Sequence, residues 1–123
     1  MGTRERVLAG MRAELRSRIG ELNGATLGSI YFGGGTPSLL SPEELGALID
    51  DARSLSSIEA DAEITIEANP DDISESVLAA WRDIGVTRVS LGVQSFRDER
   101  LQWMGRAHNA RQSIEAITLV ADA

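Results

Sequence analysis

The chain contains no cysteine and a single histidine, His108. The first absence excludes disulfides and any zinc or iron–sulfur centre held by thiolates from these residues. One imidazole cannot build a multi-histidine metal site either. Basic excess is also missing. The formal net charge of −7 argues against a protein that grips phosphates through a basic face, so no nucleic-acid partner is expected. No apolar run approaches the ~20 residues of a membrane-crossing helix, so no membrane span is expected. The opening "MGTRERVLAGMRAELRSRIG" is charged and helical in pattern, unlike a signal peptide, and Arg6 stands where a myristoylation signal wants Ser or Thr. A cytoplasmic location is the default expectation. Internal repeats, linkers and low-complexity segments are absent too.

What remains is ordinary for one modest globular domain: 123 residues, 42% hydrophobic and 25% charged. Over residues 4 to 22, Val7, Leu8, Met11, Leu15, Ile19 and Leu22 form an apolar stripe at helical spacing, and Asn23-Gly24 ends it. "TLGSIYF" (26–32) reads as a buried strand running into Gly33-Gly34-Gly35. Ser41, Pro42 and Glu44 make a capping box for a helix reaching about Arg53, with Leu45, Leu48 and Ile49 inward. "AEITIEA" (62–68) is a second strand; Ser74 caps a helix from Glu75 to about Asp83, carrying Val77, Leu78 and Trp81, and Gly85 stops it. "VTRVSLGV" (86–93) is a third strand. A short helix over 97–104 ends at Gly105, and a last helix carries Ile114, Ile117 and Val120. The order αβαβαβαα predicts an α/β fold with a parallel sheet and right-handed crossovers.

In such folds ligands bind at the carboxyl ends of the strands. Here those ends deliver a glycine loop (Gly33 to Ser38), a carboxylate (Glu67, then Asn69 and Pro70) and a carboxamide (Gln94, then Ser95). The glycine run lacks the Gly-Lys-Ser/Thr ending of a Walker loop and the spacing of a dinucleotide fingerprint. Bare backbone together with Glu67 would suit a cationic group such as an amino acid's ammonium; a tight turn needing positive φ is the plainer alternative.

"YFGGGTPSLLSPEEL", "EITIEANPDD", "RVSLGVQSF" and "MGRAH" occur in that order over roughly residues 26–120. Together they resemble consecutive blocks of the radical S-adenosylmethionine (SAM) proteins related to oxygen-independent coproporphyrinogen III oxidase. "GVQSF" followed by "GRAH" is more similar to the heme-chaperone branch of that family, since the oxidase branch tends to carry Asp after that Gln. The resemblance implies a fragment of a parallel (β/α) partial TIM-type barrel of the radical SAM kind. It implies one partial core domain over residues 1–123, of about three β/α units.

It further implies SAM contacts from Gly34, Gly35 and Thr36, from Glu67, from Gln94 and from Arg106. Carbonyls and Glu67 suit an ammonium, while Arg106 suits a carboxylate or ribose oxygens. Full-length members hold a 4Fe–4S cluster on a Cys-x3-Cys-x2-Cys loop, and its electron cleaves SAM. This chain has no such ligands, so by itself it is expected to be inactive, with any contact to heme or a porphyrinogen made through regions outside it. A non-catalytic heme- or protein-binding module and an inert truncated product that self-associates through exposed apolar surface are the alternatives.

Each residue also has a structural reading. Glu67 could be a solvated loop carboxylate, and Gln94 and Arg106 could stitch loops together. His108 reads as a capping or loop-packing histidine. Trp81 and the Trp103-Met104 pair read as core or interface, Phe96 as packing, and Asn69 with Asp71-Asp72 as turn chemistry.

Overall fold

Three β/α units follow one another along the chain. The computed structural model describes residues 2–123. Its elements are α1 (Thr3–Arg18), β1 (Leu27–Phe32), α2 (Pro42–Leu55), β2 (Ile58–Ala68), α3 (Glu75–Asp83), β3 (Arg88–Leu91), α4 (Asp98–Trp103) and α5 (Ala110–Asp122). Short 3-10 turns add Ile19–Leu22 after α1, Pro37–Leu39 after β1 and Pro70–Asp72 after β2.

The helix starts arise where the sequence places them. Glu44 N–H donates to Ser41 Oγ at 3.2 Å, and the Glu44 carboxylate accepts from Ser41 N–H at 2.7 Å, closing the capping box of α2. Ser74 Oγ accepts from Val77 N–H at 3.2 Å at the start of α3. Gly85 and Gly105 take the left-handed conformations, φ 101° and 67°, that stop α3 and α4. β2 begins four residues earlier than its alternating pattern suggests, and β3 is shorter than its apolar run. Even so, Thr87 N–H to Ile64 O (2.8 Å) and Gly92 N–H to Ala68 O (2.9 Å) extend the β3 pairing at both ends.

All strands are parallel, in the sequential order β1-β2-β3. A doubly wound sheet reverses its order at a switch point, whereas a (β/α) barrel adds each strand on the same side. Alternation then gives the sheet two different faces. Ile66 and Ala68 join Leu45, Leu78 and Trp81 in one buried cluster beneath the helices. The other face carries Tyr31, Glu63, Thr65, Glu67, Arg88 and Ser90, with Tyr31 beside Thr65 and Glu67 beside Ser90 in the register. Arg88 pairs with Glu63 at 3.3 Å on that polar face.

The apolar residues of α1 and α5 are only partly covered. No residue of α1 is buried, and Val7 and Met11 are exposed, although the predicted helix is present. On α2, Leu45, Leu48 and Ile49 are buried, and the side chains it pairs with α1 are the carboxylates of Glu44 and Asp51. Arg12 and Arg16 both bind Asp51, and Arg4 binds Glu44. In α5, Ser113 and Ala116 form the buried side, while Ile114 and Ile117 face out. Small residues there let α5 approach the Pro70–Asp72 turn closely. Trp103 is 87% exposed, so it is not core, whereas Trp81 at 2% is.

The attachment of α1 is therefore acid-sensitive. The Arg12 hydrogen bond, with the charges of Arg12 and Arg16 and against partial burial, holds the Asp51 carboxyl below its usual range. A depressed folded-state pKa gives stability that is complete above the ordinary aspartate value of about 3.9 and lost as pH falls through the lowered value. Amide exchange in α1 should accelerate across that window before exchange in α3 does, and Asp51→Asn should reproduce the effect at neutral pH. Simultaneous opening of α1 and α3 would contradict this.

Candidate functional site

The carboxyl ends of β1, β2 and β3 surround an open, mostly polar cavity of about 410 Å³. Gly35, Thr36, Glu67, Asn69, Gln94 and Arg106 all line it, with Ser90 and Gly92 at its base. Five of the six residues that the sequence singles out thus meet in one place. The sixth, Gly34, faces a neighbouring cavity with Tyr31 and Pro37, and reaches the site through its N–H, which donates to Glu67 Oε2 at 3.1 Å.

Glu67 is the last residue of β2 on the polar face, and both its oxygens are held. Tyr31 Oη donates to Glu67 Oε1 at 2.6 Å, opposite the Gly34 bond. The carboxylate accepting that proton holds the Tyr31 hydroxyl above the ordinary tyrosine range, so the phenol stays a donor. Two donors fix the carboxylate plane, and its remaining lone pairs are available to a cationic group. Glu67 is not a loosely solvated loop carboxylate.

The three glycines serve two physical ends. A Cβ at Gly33 would lie 2.5 Å from Tyr31 Cε1 and 3.1 Å from Glu67 Oε1, so close approach requires glycine there. Gly34 and Gly35 meet nothing within 4 Å but have φ of 78° and 62°, so conformation requires them. The tight-turn reading holds at Gly34 and Gly35, whereas Gly33 is set by its approach to Tyr31 and Glu67 within the chain.

Arg106 reaches back from the loop after α4. Its Nη2 donates to Asn69 Oδ1 at 2.8 Å and to Gly92 O at 3.2 Å. It therefore stitches the loops and still lines the cavity, and among the described residues its hydrogen bonds run through Nη2. Gly92 lies beneath this junction: a Cβ there would come within 3.3 Å of both Arg106 Nη2 and Asn69 Oδ1. Gln94 follows in a left-handed conformation, φ 67°.

The sequence profile of the Radical SAM superfamily matches residues 5–123, a wider span than the four blocks occupy. This chain belongs to the radical SAM superfamily. The heme chaperone HemW of Haemophilus influenzae is 36% identical over 113 residues, covering 92% of this chain and 30% of that protein. The mitochondrial radical S-adenosyl methionine domain-containing protein 1 of Bos taurus is 45% identical over 89 residues, 72% of this chain and 20% of that protein. Coproporphyrinogen III oxidase (HemN) from Escherichia coli, described as a radical SAM enzyme, superposes with a TM-score of 0.85 at 28% identity over 96% of this chain and 27% of its own. The chain thus spans under a third of the relatives it matches, and its α/β fold with a parallel sheet is the radical SAM fold.

Radical SAM membership implies SAM and a 4Fe–4S cluster in full-length members. The cavity's donors fit SAM: a fixed carboxylate and backbone for an ammonium, and a guanidinium for a carboxylate or hydroxyls. They do not fit the cluster. The chain has no cysteine, and among the described residues no three or more His, Cys, Asp or Glu groups are placed to hold a metal. No described helix is long and apolar enough to cross a membrane.

Tyr31 and the second role of Asn69 were not singled out from sequence. Tyr31 has a legible signal, since it shares strand parity with the site face and precedes the glycines by two residues. Asn69 is turn chemistry as expected, its N–H donating to Asp72 Oδ2 at 3.0 Å. Its partnership with Arg106 spans 37 positions and no local pattern encodes it.

Proposed function

We propose that the chain is a single partial radical SAM core domain providing the SAM-binding wall of a heme-chaperone-type or coproporphyrinogen-oxidase-like protein. The carrying observation is the convergence of Gly35, Thr36, Glu67, Gln94 and Arg106 on one polar cavity at the strand ends. Glu67 and the glycine-loop backbone hold the ammonium, and Arg106 takes the carboxylate or ribose oxygens. Gln94 and Asn69 offer amide groups of both polarities to the remaining polar atoms. Tyr31 keeps the Glu67 carboxylate aimed.

When bound, SAM would supply the adenosyl group. The residues here bind and orient it. These 123 residues include no cysteine to ligate a cluster, and the chain alone is expected not to cleave SAM. The HemW relative and the serine at position 95 favour the heme-chaperone branch over the oxidase.

Calorimetric titration of the chain with SAM tests this. Weak, saturable 1:1 binding is expected, abolished together by Glu67 and Arg106 variants. Heat no larger than that of dilution at millimolar SAM would overturn it. Heme ligation by His108 has no support, because its ring is buried and its Nε2 lies 2.9 Å from the Val93 oxygen. A groove of about 430 Å³ along Met11, Leu15, Ile19, Leu22 and Leu27 leaves apolar surface open. Self-association through it is compatible with the SAM site and would be read by sedimentation.

A further inference from the structure

We propose that His108 is the positioning residue that holds Gln94 in the cavity wall. The identity of the ligand rests on the SAM reading; the positioning itself does not. Among the described residues only Asn23 and Gln94 are non-glycine residues with positive φ. Asparagine visits that region readily because its short side chain bonds locally, and glutamine has no such help. Ser95 N–H donates to Val93 O at 2.8 Å, closing a γ-turn around Gln94 in the rarer, strained positive-φ form. Strain of that kind persists only where surrounding contacts over-determine it.

The loop from Gly105 to Asn109 supplies those contacts. Arg106 Nη2 holds the Gly92 carbonyl at 3.2 Å, and His108 Nε2 holds the next one, Val93, at 2.9 Å. Val93 O therefore receives both the turn's own bond and the imidazole's. A carbonyl only accepts, so Nε2 carries the hydrogen. Asn109 then anchors the loop, its Oδ1 accepting from Gln112 N–H at 2.8 Å at the start of α5.

Packing alone does not account for a histidine here. The residue is 3% exposed, yet its Nδ1 is buried without a hydrogen-bond partner. Asp71 Oδ1 stands 3.9 Å from it, beyond bonding distance. An orphaned buried nitrogen is destabilising, and an apolar ring would fill the space without one. What imidazole adds at this point is the Nε2–H directed at Val93.

The test uses the full chain, isotopically labelled. Long-range proton–nitrogen correlation should show the hydrogen on Nε2; a ring protonated only at Nδ1 would overturn the proposal. His108→Gln places an amide nitrogen near Nε2, whereas His108→Asn places one near Nδ1. Ser95 amide exchange is expected to rise about tenfold in His108→Ala and His108→Asn, and to stay near the unmodified rate in His108→Gln. SAM affinity should follow the same order. Equal effects of Gln and Asn, or a lowered melting temperature with Ser95 and Gln94 unperturbed, would mean packing only and overturn the proposal. If the Ala and Asn variants fail to fold, the tautomer and the Gln variant still decide it. Absence of SAM binding by the unmodified chain would defeat the SAM reading, while the exchange pattern would still decide the role of His108.

Discussion

Truncating Trp81 to alanine is expected to lower the stability of the chain by about 3–5 kcal/mol. The indole lies in the cluster with Leu45, Ile66, Ala68 and Leu78, where α2, β2 and α3 meet. Only 2% of the residue is exposed, so truncation removes nearly all its transfer free energy and leaves a cavity between rigid elements. The neighbours cannot collapse into the space easily. Ile66 and Ala68 are fixed by strand pairing to β1 and β3, and α3 is held at its start by Ser74. A domain of this size has a total stability of about 5–15 kcal/mol, so the loss is a large share of it. Chemical denaturation followed by circular dichroism would measure it; a loss below about 1 kcal/mol would mean that Trp81 is not central to the core. Trp103→Ala is the internal control, expected to be within about 0.5 kcal/mol of the unmodified chain.

Replacing Glu67 by glutamine is expected to weaken SAM binding by about 30- to 150-fold, the worth of one charge-assisted hydrogen bond of roughly 2–3 kcal/mol. The change keeps shape and removes charge. The amide can keep its oxygen on Gly34 N–H and turn its nitrogen to Tyr31, whose hydroxyl can rotate to accept. The fold and the cavity therefore survive, and the ammonium loses its counter-charge. Calorimetry would read the affinity and thermal unfolding would confirm the fold. Unchanged affinity would remove Glu67 from the site, and equal losses of affinity and stability would make its role structural. Tyr31→Phe should behave differently: the carboxylate stays but loses one of its two fixed bonds, giving a loss of about fivefold.

The units of the fold were legible because their signals are local. Ser41 with Glu44 and Ser74 with Val77 act within one helical turn, and the left-handed stops at Gly85 and Gly105 act within one residue. The site was legible for a related reason. A parallel sheet brings all strand ends to one edge, so residues just after the strands converge whatever lies between them. Glu67 and Gln94 are 27 positions apart in the sequence and share a cavity.

Side-chain partnerships across long separations were not legible. The apolar stripe of α1 predicted an amphipathic helix, but what that helix meets depends on the packing of α2, whose side toward α1 carries Asp51 and Glu44. Which side of α5 turns inward is decided in the same way: close approach of the Pro70–Asp72 turn puts Ser113 and Ala116 inside and leaves Ile114 and Ile117 exposed. Trp103 sits at an apolar helical position, yet α4 is short and buries only Leu101.

The sequence by itself determined the α/β order, the helix caps, the family and the residues gathered at the strand ends, since each depends on neighbours in the chain or on strand parity. It also determined that no cluster can be ligated here, because thiolates are absent. Only the tertiary structure decided how those residues are held. Glu67 is clamped between Tyr31 and Gly34, Arg106 bridges Asn69 and Gly92, and His108 pins the turn that presents Gln94. Hydrogen bonds have directions and ranges of about 3 Å, and no pattern along one dimension specifies which distant groups come within that range.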